Sequence, residues 1–214
     1  MHAATVMGSQ DAAAAPAAPA RDVRQLRAQH EAGSAQASLR LCASILADRR
    51  GNWPEALEIL RDLVDTHTSV QVVARAKKLL ADAYVQGRGG IATAHQAREF
   101  YIDAADAGVA SAYLWLGRWF DGSDARFASA VPDLNLAAHL YQEGVRAGST
   151  GCAVALARLH LRGKLARSET TAAEDLLRRA ARAGDPSARA ELRRLDGDAP
   201  RRPIVAGMRR LLAA

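Results

Sequence analysis

The stretch Ala97-Arg98-Glu99-Phe100-Tyr101-Ile102-Asp103-Ala104-Ala105-Asp106-Ala107-Gly108 decides the fold, because it comes back twice. It returns as Ala137-Ala138-His139-Leu140-Tyr141-Gln142-Glu143-Gly144-Val145-Arg146-Ala147-Gly148. A more diverged copy reads Ala173-Glu174-Asp175-Leu176-Leu177-Arg178-Arg179-Ala180-Ala181-Arg182-Ala183-Gly184. The closing glycines are 40 and then 36 residues apart, inside the period range of helical solenoid repeats. A single helix pair cannot bury its own apolar face, so neighbouring pairs must stack. The repetition predicts an all-α chain and leans the function toward binding rather than catalysis.

Composition agrees. At 214 residues the chain is long enough for one ample core or one elongated array. Alanine, leucine and arginine dominate, and aromatics are only 5%. β-Branched residues never cluster into strand-like alternation, as expected of helices packed closely through small residues. No apolar run reaches the length needed to cross a bilayer. The N-terminus shows neither the basic region nor the continuous apolar stretch of a secretory signal. Residues 1–20, with Ala12-Ala13-Ala14-Ala15-Pro16-Ala17-Ala18-Pro19, read as a disordered leader. The only two cysteines, Cys42 and Cys152, fall on predicted helices and make no disulfide framework. They are expected to be buried reduced thiols, and a cytoplasmic location follows by default. The formal charge of +6 and the pI near 9.9 permit acidic partners, nucleic acid or an anionic membrane surface.

Ten helices can be placed. A weak first helix spans 22–31, followed by 37–49, which carries Leu39, Leu41, Cys42, Ile45 and Leu46 and is closed by Gly51-Asn52. Another spans 53–65, with Pro54 in the first turn, where its missing N–H costs nothing. Helices over 69–86, 93–107, 110–120, 134–147, 150–161, 169–183 and 186–195 continue the alternation. Each is expected to stop at a Gly, the residue a left-handed C-terminal cap favours. The connection 121–133 is longer than its counterparts and stretches one repeat. The domain plan is a leader over 1–20, a solenoid over 21–198 and a basic amphipathic cap or tail over 199–214.

At these residues the chain resembles the Sel1-like repeat family, relatives of the tetratricopeptide repeats. The family's first helix, A-x-x-x-L-G-x-x-Y-x-x-G, is matched by Ala112, Leu116, Gly117, Phe120 and Gly122. Its neighbours are Ala76, Leu80, Ala81, Tyr84 and Gly87, then Ala153, Leu156, Ala157, His160 and Gly163. The second helix is the segment quoted above in its three copies. Upstream, Gly51-Asn52-Trp53-Pro54-Glu55-Ala56-Leu57 is closer to the tetratricopeptide form. His160 replaces an aromatic and Arg193 a small residue, so the final repeat is expected to act as a degenerate cap. The resemblance implies an α/α superhelical solenoid of about four helix pairs, right-handed, with first helices lining the concave side. It also implies a protein-binding role in bacterial signalling, regulation or secretion and envelope assembly.

On that mapping, the residue after the Gly/Ala position of each first helix is Asp82, Arg118, Arg158 and Arg194 in turn. Three arginines would form a ladder on the concave wall, with Arg75, Lys78 and Arg162 nearby. Such a groove would favour a carboxylate-rich peptide or acidic helix, because Arg holds carboxylates bidentately. The same arginines also read as the solvated face of an arginine-rich protein.

The C-terminal arginines, from Arg178-Arg179 to Arg209-Arg210, offer an alternative: a regulator whose basic end binds nucleic acid. Interspersed acids and the lack of interleaved aromatics weigh against it. Ile204, Val205, Met208, Leu211 and Leu212 could dock on the last repeat, or touch a membrane surface or partner helix.

For catalysis the sequence offers little. The six histidines are scattered, with no H-E-x-x-H, C-x-x-C or glycine-rich phosphate loop. Gly87-Arg88-Gly89-Gly90 reads as a turn. His139 is expected to be exposed and His160 to pack in place of an aromatic. No cofactor, metal or catalytic residue is assigned, and the chain is read as a non-catalytic adaptor.

Overall fold

The structure, a computed structural model, describes residues 20–88, 94–123, 131–165 and 170–198. These residues form helices α1 (Ala20–Glu31), α2 (Ala35–Ala47), α3 (Trp53–Thr66), α4 (Val70–Val85) and α5 (Ala94–Asp106). They continue as α6 (Ala110–Asp121), α7 (Leu134–Arg146), α8 (Thr150–Leu161), α9 (Thr170–Arg182) and α10 (Pro186–Asp198), with no strand among the described residues. The fold is the all-α helical solenoid the repeats predict. The tail over 199–214, with its apolar residues and arginines, and the leader except Ala20 lie outside the described residues, as do Gly89 and Gly90.

Local chemistry sets the helix ends. Ser34, Asp133 and Ser149 cap α2, α7 and α8 by accepting backbone N–H groups of the first turn. The closing glycines of the three copies, Gly108, Gly148 and Gly184, sit at φ +84, +94 and +96. At this point the chain must turn left-handed, which a side chain disfavours. Around Gly148 the Gly148 N–H reaches Val145 O at 3.0 Å and Ser149 N–H reaches Gly144 O at 2.8 Å. These two bonds satisfy carbonyls the helix leaves open.

The expectation that every helix stops at a glycine needs correction at α2 and α3. Asp48 and His67 end them in extended conformation, at ψ 128 and 136. Side chains take over the turn there. Asp48 Oδ1 accepts from Arg50 N at 2.9 Å, and the Trp53 indole donates to Asp48 O at 2.8 Å. His67 Nδ1 accepts from Ser69 N at 3.0 Å.

Each helix packs against its neighbours in sequence, and the further substantial contacts are α2 with α4 and α6 with α8. Among the even helices, the row that the family resemblance places on the inner side, α2 thus approaches α4 and α6 approaches α8 directly. The layout is four pairs, α2–α3, α4–α5, α6–α7 and α8–α9, flanked by α1 and α10. The core is a chain of overlapping apolar clusters. One joins α1 to α4 around Leu41 and Leu60, and the next centres on Tyr101 and Leu116. A third surrounds Tyr141 and Leu156, and the last surrounds Leu177 and Ala157. Cys42 and Cys152 are both free and fully buried, as expected of reduced packing thiols. No described helix is long and apolar enough to cross a membrane.

Candidate partner-binding cleft

The small residues of the inner helices let the large residues of the outer ones reach across. Tyr141 of α7 is fully buried, and a Cβ on Gly117 of α6 would lie 2.2 Å from its ring. That close approach aims the Tyr141 hydroxyl at the end of α6, where it donates to Asp121 Oδ2 at 2.6 Å. Burial first, and then this bond, pushes the Tyr141 phenol well above its ordinary range. The preceding repeat shows a related device: the Tyr101 hydroxyl donates to Asp82 Oδ1 at 2.7 Å. In the third copy the position is Leu177, fully buried and without a hydroxyl.

On the face of this framework α6, α8 and the start of α10 border a cleft of about 150 Å³. Arg118, Arg158 and Arg162 line it together with Asp121, Tyr141 and Asp185. Val154, Ala155 and Leu159 supply an apolar wall. Three of the predicted groove residues are thus brought to one place, and four are not. Arg75 is exposed on α4. Lys78 and Asp82 bind each other at 2.7 Å, and the second carboxylate oxygen of Asp82 holds Tyr101, so this acid is committed within the chain. Arg194 is exposed on α10, with its Nε 3.4 Å from Glu191 Oε2.

Within the cleft the arginines differ. Arg158 Nε donates to Glu191 Oε1 at 2.7 Å, tying α8 to α10. Arg118 lies over the Trp115 ring, its Cζ 5.2 Å from the ring centroid, a cation–π contact. Arg118 and Arg162 have no carboxylate partner among the described residues. His139 is exposed, and His160 is half-buried, consistent with a packing role. Among the described residues no group of three or more His, Cys, Asp or Glu is placed to hold a metal ion.

Sequence reasoning missed Glu191, Asp121 and Asp185. Tyr101 and Tyr141 stand 19 and 20 residues after the acids they bind. That spacing is the one signal that could have found Asp121.

No protein-family model and no curated protein matches the chain. Solved structures do. The chain is similar to a Sel1 repeat protein from Oxalobacter formigenes, with 19% identity and a TM-score of 0.64. The chain has the Sel1-like repeat fold. The superposition covers 79% of this chain and 66% of the Oxalobacter protein, so the chain spans just under two thirds of that relative. A second similar structure is c5321, a protective antigen present in uropathogenic Escherichia coli strains and displaying an SLR fold. It shares 16% identity at a TM-score of 0.37, over 83% of this chain and 44% of that one. Within the Sel1-like fold the cleft lies on α6 and α8, first helices of successive pairs that touch each other directly.

Proposed function

We propose that this Sel1-like solenoid is a non-catalytic scaffold that holds a segment of a partner protein against the inner row of helices. The partner's acidic side chains meet Arg118 and Arg162. The observation that carries the reading is the state of these two guanidinium groups: neighbours on one cleft, neither neutralised by a carboxylate of the described chain. Stacked helices present such a surface at small ordering cost. A cytoplasmic role in bacterial signalling, regulation or secretion and envelope assembly fits an adaptor of this kind.

Protein is favoured over nucleic acid as the partner because two arginines of the basic C-terminal part, Arg178 and Arg194, face acids of the chain itself. Arg178 binds Glu174 at 2.6 Å and Asp175 at 3.2 Å, while Glu191 takes Arg158 and Arg194.

The test is cross-linked capture from native extract with the wild type and an Arg118→Glu/Arg162→Glu variant, folding being verified by circular dichroism. A defined protein captured by the wild type alone supports the reading. Capture that is unchanged by the double reversal, or no capture by either, overturns it. Arg158 and Arg194 are left intact in this design, because reversing them would also break the tie to Glu191.

A further inference from the structure

The cleft is too small for a helix. A cavity of its size, about 150 Å³, encloses a single benzene ring elsewhere, whereas a helix with side chains is about 10–12 Å across. One side chain is what it can seat.

Charge narrows the choice. Arg158 is neutralised by Glu191, which leaves Arg118 and Arg162 as the cleft's two guanidinium groups without a carboxylate partner among the described residues. Both carboxylates that line the cleft are fixed by the fold. Asp121 accepts from the Tyr141 hydroxyl at 2.6 Å and from Ser123 N at 2.7 Å. Asp185 Oδ1 accepts from Ser187 N at 2.8 Å and Ala188 N at 3.1 Å, capping α10. One carboxylate is the group that two such guanidinium groups can hold together. A phosphate group, carrying about −1.5 to −2 at pH 7, would bring excess negative charge against Asp121 and Asp185.

Arg118, whose Cζ lies 5.2 Å from the centroid of the Trp115 ring, and Arg162 both border the cleft. Arg158, already holding Glu191 at 2.7 Å, shows the pairing this row of arginines makes. Val154, Ala155 and Leu159 offer an apolar wall for the methylene groups of a carboxylate side chain, which favours glutamate over the shorter aspartate.

We infer that the cleft is a socket for one glutamate side chain of the partner, clamped between Arg118 and Arg162. The inference rests on the scaffold reading for its partner, and on the cleft's size, its two guanidinium groups without a carboxylate partner and its apolar wall for its chemistry.

The test follows the arginine Nε–H resonances of the full chain by nuclear magnetic resonance, with Arg118 and Arg162 assigned from Lys variants. The probes are the N-acetyl amides of glutamate, aspartate, glutamine and phosphoserine. The glutamate derivative is expected to move both resonances saturably, with glutamine about tenfold weaker or more and aspartate between them. Arg118→Gln is expected to abolish the response of Arg162, and Arg162→Gln that of Arg118, because the two share one ligand. Equal binding of glutamine, tighter binding of phosphoserine, or no saturable response at either arginine overturns the socket.

The two readings separate. A partner that depends on Arg118 and Arg162, with no response to the glutamate derivative, sinks the socket and leaves the scaffold. Saturable glutamate binding with no partner dependent on the pair does the reverse.

Discussion

At the residue scale, one of the tightest constraints in the described chain joins Gly117 to Tyr141. A methyl group at 117 would meet the ring at 2.2 Å, and the ring is fixed by its bond to Asp121. Gly117→Ala is therefore expected to destabilise the fold by about 1–3 kcal/mol, read from urea denaturation. The next repeat solves the same packing with Ala157 and Leu177, both buried in one cluster. Gly117→Ala/Tyr141→Leu copies that solution and should cost less than the sum of the two single changes, a coupling a double-mutant cycle measures. The sequence made it plain that position 117 is small. It did not show which ring demands it, because the demand comes from a helix 24 residues on. The buried thiols give a second residue-scale expectation. Burial raises Cys42 from its ordinary 9.0 to about 12 and Cys152 to about 11. The folded chain thus holds these protons more tightly than the unfolded one, so their contribution to stability is complete below the ordinary thiol range. It is lost as pH rises through 9.0 toward 11 and 12. Iodoacetamide at about pH 8 should label neither cysteine in the native protein and both after denaturation. Denaturation midpoints should fall above about pH 9, less steeply when both cysteines are alanine.

At the element scale, α10 depends on few contacts. Ala188 is its only residue described as fully buried, with Leu192 and Leu195 packing partly. Glu191 therefore matters beyond its size: its carboxylate is mostly buried, accepts from Arg158 and has Arg194 beside it. Glu191→Gln removes the charge from that bond and should loosen α10 by about 1–3 kcal/mol. Hydrogen exchange should quicken over 186–198 while α2 to α5 keep their protection. Most helix positions were legible because each carries its own start and stop, such as Ser149 and Gly163 around α8. The ends of α2 and α3 were not, since a glycine at 51 suggested a left-handed stop where Asp48 and Trp53 make the turn instead. The tie between α8 and α10 was equally hidden. Arg158 could be placed on the inner row from its repeat position, but its partner is 33 residues away in a repeat that breaks the pattern. The candidate cleft was legible only where repeat position decides it, at Arg118, Arg158 and Arg162. Its acids and its size depend on packing between repeats.

At the scale of the whole molecule, the core is a relay of clusters, each sharing helices with the next. In such an array stability is close to a sum of repeat and nearest-neighbour terms, so damage at one end should stay near it. Removing residues 186–214 tests this. The deletion uncovers the side of α8 and α9 that faces Ala188, Leu192 and Leu195, and leaves Arg158 without Glu191. Amide exchange in α9 and α8 should then speed by more than tenfold, the change expected for a loss of about 1.4 kcal/mol or more in local stability. The cluster of Leu41, Leu60 and Leu80 shares no helix with the lost segment, and its amides should exchange as before. Acceleration spread evenly from α2 to α9 would instead mean that the chain melts as one cooperative body. Gly117 and Tyr141 lie between the two ends, so their amides report how far the disturbance travels. Intact protection there would place the cleft's floor on a part of the solenoid that holds its shape whether or not α10 is docked, with Arg118 presented by that rigid part.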